Sequence, residues 1–309
     1  MRLHILHETR YTYSRPVVLS HQLLHLTPRA LPWQTCEQHR ISVEPPGNVM
    51  TEREDYYGNR TVYLLVAAPH EALIARAESE VSVEPRARSA LGAPRVPWEA
   101  VRARLRGVDA PPLVEPAEFL YDSPHVERSR ELADYAAKSF TQRRAMLESA
   151  ADLARRIHRD FKFDRTATSV STSLRQVLKD KRGVCQDFAH LMIGCLRSIG
   201  LAARYVSGYL LTAPPPGRPR LIGADASHAW ASVWCGEGGG SGRGETLGWV
   251  DIDPTNNCIV DDAHVTLAWG RDFGDVTPMR GVILGGGTQQ QLAVHVTVTP
   301  RLAAAIESR

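Results

Sequence analysis

The hydrophobic periodicity of the chain changes once, near residue 118, and that switch limits the folds open to it. Up to about residue 85 apolar residues alternate with polar ones in the runs LHILHETRYTYS, VVLSHQLLHL, HRISVEP, VMTEREDYY and TVYLLVAAP, separated by Pro, Gly and Asn. A period of two places alternate side chains on opposite faces, as half-buried strands require. The number of runs favours a small all-β, sandwich-like unit, with Gly58-Asn59 at a tight hairpin. Beyond residue 118 the period lengthens. Met146, Ala150, Leu153, Ile157 and Phe161 recur at the three-to-four spacing of one buried helical face. The runs LAARYVSGYLL, ASHAWASVWC and TLGWVDID then read as strands. Helices followed by an antiparallel sheet make this half α+β.

A chain of 309 residues is long for one core. The expected division is an N-terminal β domain over 1–105, a linker over 106–118, and a helix-and-sheet domain over 119–309 that keeps the closing strand QQLAVHVTVTP. The Pro- and Arg-rich stretch 85–118 reads as a solvated connection with a short helix. Basic residues number 37 against 34 acidic ones, a net charge of +3, which argues against a nucleic-acid partner. Five scattered cysteines, without a CxxC pair or zinc-site spacing, argue against a disulfide framework and a metal centre. The start MRLHILHETR lacks a signal peptide's apolar segment, and no run is long enough to span a bilayer. The expectation is a cytoplasmic protein without membrane partner, metal or cofactor. GEGGGSGRGE lacks the GxxxxGK[ST] pattern and precedes a strand, so it reads as a hairpin tip and not a phosphate cradle.

Chemistry concentrates in the second half. Ser171 or Ser173 can cap the short helix SLRQVLKD, and after the Lys-Arg-Gly turn CQDFAHLMIGCLRSIG places Phe188, Met192, Cys195 or Leu196, and Ile199 on one stripe ending at Gly200. Cys185 opens this helix. A thiol attacks a carbonyl as thiolate, and a helix N-terminus favours that charge through its free N–H groups. Cys195 lies on the apolar stripe, and Cys36, Cys235 and Cys258 sit in strand or turn contexts as structural thiols. Asp187 is an awkward neighbour for a thiolate and is expected to cap the helix start instead. His190 sits around the helix from the thiol. Trp230 reads as packing and Arg204 as a packing and surface residue. His228, in an otherwise apolar strand, needs a polar partner. Asp253 ends the next strand before Pro254. His228–Trp234 and Leu247–Asp253 are of equal length, and pairing them as a hairpin brings carboxylate to imidazole. Asp251, two residues earlier on the same face, is the alternative acid.

The ordered segments GVCQDFAHLMIGCLRSIGLAARYVSGYL, HAWASVW and GWVDIDPTN resemble the core of the transglutaminase-like superfamily. YTYSRPVVLSHQLLHLTPR and RDFGDVTPMRGVILGGG further resemble the bacterial branch, which carries a β domain before this core. The resemblance implies a papain-like fold with Cys185 as nucleophile, His228 as base and Asp253, the aspartate of the DPT triplet, as orienting acid. It implies acyl transfer through a thioester on a peptide or protein substrate. Water as acceptor makes a cysteine peptidase or amidase, and is preferred; an amine makes a protein-glutamine amine transferase. The Cys185 N–H is the first oxyanion donor; Gln186 is within reach as the second, but its spacing does not select it. No EF-hand pattern is present, so calcium dependence is not implied. Rival readings are a metal hydrolase using the same three residues as ligands and a non-catalytic peptide-binding module.

Overall fold

The computed structural model describes residues 1–92, 95–107, 113–167, 172–212, 227–236 and 248–301. The alternating N-terminal runs form β1 (Arg2–Leu24), β2 (Gln34–Glu44), β3 (Val49–Glu54), β4 (Arg60–Val66) and β5 (His70–Val83). They make one antiparallel sheet in the order β2-β5-β1-β4-β3, the expected all-β unit curled on itself. The 23-residue β1 organises it. Its first half pairs with β5, its last five residues with β4, and the register breaks between Thr12 and Val17. The β3–β4 connection runs through Gly58 at φ 69°, with Asp55 Oδ1 accepting the N–H groups of Tyr57 and Asn59.

Three short helices follow, α1 (Ala87–Gly92), α2 (Trp98–Leu105) and α3 (Val114–Ala117). The solvated connection expected here is corrected. Val101 and Leu105 of α2 are buried in the core shared with the later helices. The arginines are also engaged: Arg86 donates to Asp251 at 2.9 Å and lies over Trp33, and Arg102 lies over Trp98. The N-terminal run of strands ends at Val83, and 98–105 packs with the second half of the chain.

That half comprises α4 (Arg130–Ala137), α5 (Met146–Asp160), α6 (Leu174–Asp180) and α7 (Cys185–Ser198). A short parallel pair, β6 (Lys162–Phe163) and β7 (Arg182–Gly183), leads into α7. A five-stranded antiparallel sheet follows: β8 (Ala203–Leu210), β9 (Ser227–Trp234), β10 (Trp249–Asp253), β11 (Cys258–Ile259) and β12 (His264–Gly270), in the order β11-β10-β9-β8-β12. The expected α5 stripe of Met146, Ala150, Leu153, Ile157 and Phe161 is buried throughout. Ser173 caps α6, its Oγ accepting the Gln176 N–H at 3.3 Å, while Ser171 lies outside the described residues. So does most of the Gly-rich segment.

The last strands, β13 (Met279–Gly285) and β14 (Gln290–Pro300), leave the second sheet and pair with β1. The closing strands of the 119–309 unit are thus joined edge to edge to the N-terminal sheet, and the chain closes on its own beginning. Leu3, Ile5, Val296 and Val298 share one core with α5 and α7. A second seam lies at β12, the edge of the five-stranded sheet. Gln34 donates to the Thr266 carbonyl and accepts the Thr266 N–H, both at 2.8 Å. Asn59 does the same at Trp269, donating at 2.8 Å and accepting at 2.9 Å. Two buried side-chain amides thus satisfy the open strand edge, which would otherwise bury unpaired backbone groups.

Candidate active site

Cys185 is the first residue of α7, as the sequence implies. Asp187, three residues past the N-cap Val184, turns back and accepts the Val184 N–H at 2.8 Å, so it caps the helix. The turn-back requires Gly183: a Cβ there would lie 2.7 Å from Asp187 Oδ2. Cys185 lines a groove of about 700 Å³ together with Gln186, Tyr205, His228, Asn256 and Phe273. Tyr205 is buried, and burial, with Cys185 and Asp187 close by, holds its phenol far above the ordinary range.

His228 stands near the start of β9 with its side chain one-tenth exposed, and its Nε2 lies 2.7 Å from Asp253 Oδ2. The hairpin expected from equal strand lengths is corrected by two residues: Trp234 pairs with Trp249, not with Leu247, which lies outside the described residues. A two-residue shift preserves the face on which each side chain emerges. Asp253 therefore still meets the imidazole, diagonally. Asp251, the alternative acid, is taken by Arg86.

Asp253 is fully buried and surrounded by donors. Its Oδ1 accepts the N–H groups of Thr255 and Asn256 at 2.8 and 3.2 Å. Its Oδ2 faces His228 Nε2, Asn256 Nδ2 at 2.7 Å and His264 Nε2 at 3.3 Å. Burial alone would raise this carboxyl, but the hydrogen bonds from His228 and His264, and the His228 charge, hold it far below the carboxylate range. Burial likewise works against a charged His228, yet hydrogen bonds to Asp253 and Cys185 push it up to about 10. With Nε2 turned to the carboxylate, Nδ1 is left for the thiol, which fixes the tautomer. Burial pushes Cys195 and Cys235 up to about 12 and Cys258 to about 11, and raises Cys36.

The three sequence candidates thus converge, and the structure adds Asn256 and His264. The reasoning that found His228, a polar ring in an apolar strand, applies equally to His264 in HVTLAWG. Arg204, read as a packing and surface residue, is buried with its guanidinium over Trp249 and Trp269. His190 accepts the Phe273 N–H at 3.1 Å. Nitrogen and oxygen atoms of His228, Asp253 and His264 lie within 4.8 Å of one another, which raises the question of a shared metal ion. Two ligands of one tetrahedral zinc lie about 3.3 Å apart, given bonds of about 2.0 Å. The 2.7 Å between His228 and Asp253 is a hydrogen bond instead.

A helix-initial cysteine against a sheet-borne histidine and aspartate is the arrangement of the papain-like thiol enzymes. Residues 3–82 match the bacterial transglutaminase-like N-terminal region and 132–254 the transglutaminase-like superfamily. An uncharacterised protein of Mycobacterium tuberculosis is 42% identical over 303 residues, covering 97% of this chain and 93% of its own. One of Mycobacterium leprae is 30% identical over 300 residues, covering 96% and 98%. A protein-glutamine gamma-glutamyltransferase of Pseudomonas aeruginosa is 31% identical over 131 residues, 41% of this chain and 18% of that one. A candidate cysteine protease from Cytophaga hutchinsonii superposes with a TM-score of 0.71 at 19% identity, covering 97% of this chain and 90% of that one, and so shares the fold. The chain belongs to the bacterial transglutaminase-like branch of the transglutaminase-like superfamily. No helix among the described residues is long and apolar enough to cross a membrane.

Proposed function

We propose that the chain is a thiol-dependent hydrolase of peptide or amide bonds, with Cys185 as nucleophile, His228 as base and Asp253 as orienting acid. The observation that carries the reading is the His228 ring, hydrogen-bonded to Asp253 at 2.7 Å and lining one groove with Cys185. The thiolate Sγ attacks the carbonyl carbon, and the oxyanion meets the Cys185 N–H. As the C–N bond breaks, the imidazolium gives its Nδ1 proton to the departing amine and a thioester remains on Sγ. Water then attacks the thioester, passing a proton to His228. The acid leaves and the thiolate returns. An amine in place of water gives transfer, the reading favoured by the Pseudomonas relative's activity. Labelled peptides incubated with wild type and Cys185→Ala, with and without an amine donor, separate these: cleavage without donor supports hydrolysis, and conjugation only with donor supports transfer. No turnover distinguishable from Cys185→Ala in either arm overturns both.

A further inference from the structure

We propose that His264 is a positioning residue of this site, donating Nε2–H to Asp253 Oδ2 and sharing the charge that His228 faces. The inference rests on the reading of Cys185 and His228 as the reacting pair, and it concerns a residue outside the segment that matches the superfamily core. His264 opens β12, is buried, and lies edge-to-face on Trp230 with ring centroids 5.3 Å apart. Its Nε2 is 3.3 Å from Asp253 Oδ2, and its ring centroid is 6.1 Å from that of His228.

The other nitrogen makes the case. His264 Nδ1 is buried without a hydrogen-bond partner. A hydrogen at that position would be an orphaned donor, whereas a bare lone pair is the smaller loss. The ring is therefore held as the Nε2–H tautomer, with its one hydrogen directed at the carboxylate. An apolar ring would pack against Trp230 without burying a lone polar atom. What the imidazole adds there is the donor.

Two imidazoles thus share one carboxylate oxygen, and their demands differ. His228 must accept the thiol proton and later release it to the leaving amine. An oxygen bonded to fewer donors concentrates more negative charge on the His228 imidazolium and binds its proton more tightly. His264 takes part of that charge while keeping Oδ2 in place. The titratable groups around it are Asp253 on β10, His228 on β9 and Asp261 in the turn before β12, whose carbonyl accepts the His264 backbone N–H at 3.1 Å. Only Asp253 and His228 contact the ring among these in the described residues.

The test uses Cys185 alkylation by iodoacetamide, followed against pH by mass spectrometry of the Cys185 peptide in the intact protein. His264→Phe keeps a ring and removes the donor. His264→Gln restores an N–H near the Nε2 position. The acid limb of the profile is expected to move down by about one pH unit in His264→Phe, a tenfold faster reaction on that limb, and to return in His264→Gln. A His264→Phe profile that superposes on wild type, or moves toward higher pH as simple loss of alignment would cause, overturns the proposal. So does a His264→Gln profile that follows His264→Phe. A wild type without any low-pH limb refutes the thiolate–imidazolium reading itself, which separates the two failures.

Discussion

Asparagine at position 253 perturbs the site at its most buried point while keeping its volume. The amide oxygen can take over from Oδ1, accepting the N–H groups of Thr255 and Asn256. The Oδ2 side then presents an NH2 group to His228 Nε2, Asn256 Nδ2 and His264 Nε2. Donor faces donor. His228 escapes only by moving its hydrogen to Nδ1, which turns N–H toward Cys185 and abolishes its role as base. For the proposed thiolate–imidazolium pair, an imidazole pushed up to about 10 carries the shared proton at pH 6. Without it, a thiol of ordinary pKa, about 8.5, is only about 0.3% ionised at that pH. The less acidic thiolate is more nucleophilic, which returns about tenfold. Iodoacetamide modification of Cys185 at pH 6 should therefore slow by about 30-fold in Asp253→Asn, and thioester formation should fall further, since both depend on the same base. A rate at pH 6 within about twofold of wild type would refute the assignment of Asp253, because the predicted slowing of about 30-fold is larger than that by an order of magnitude.

The pH dependence of stability has two sides. Asp253 is held below its unfolded range, so its contribution is present above about pH 4 and lost as pH falls further; that of His228 is complete below about pH 6.5 and lost as pH rises toward about 10. Urea unfolding should show greatest stability between these limits, and His228→Ala should flatten the alkaline side; an unchanged alkaline slope contradicts it. Gly208→Ala should destabilise by about 2–3 kcal/mol, because the new Cβ would lie 2.1 Å from the Val265 carbonyl oxygen and 2.4 Å from Trp230. Equal urea midpoints would contradict that packing. Gln34→Ala leaves the Thr266 N–H unpaired, while its C=O keeps the Arg29 N–H, and should cost about 1–3 kcal/mol, with faster amide exchange at Thr266 as the local signature.

Local patterns in the sequence carried much of this architecture. The α5 stripe, the start of α7 at Cys185 and the strands of His228 and Asp253 follow from periodicity and from Gly and Pro placement, because each is determined within about ten residues. Long-range pairing was less legible. QQLAVHVTVTP announces a strand, but not that its partner is β1, nearly 290 residues away in sequence, since alternation encodes a face and not a neighbour. The two-residue offset between β9 and β10 has the same origin: strand length sets no register when the connecting turn is unknown. Arg204 read as partly a surface residue because an isolated arginine usually is one, and only Trp249 and Trp269, 45 and 65 residues on, make its burial affordable.

The N-terminal sheet acquires a purpose from these contacts. β12 begins with His264, so whatever fixes β12 also fixes the second imidazole on Asp253. Gln34 and Asn59 fix it from outside, and Arg29, lying over Trp269 at 3.5 Å, donates its backbone N–H to Thr266 as well. Phe273 and Pro278, which also line the groove, belong to the segment that leads from β12 to β13, and β13 is held by β1. His190 of α7 accepts the Phe273 N–H, so the helix that carries Cys185 meets that same returning segment. The thiol, the imidazole pair and one groove wall are therefore tied through β1 and β12 to a sheet that supplies none of the three proposed reacting side chains. A truncation that removed the sheet would leave Thr266 and Trp269 of β12 unpaired and free Pro278, loosening the site along with the fold.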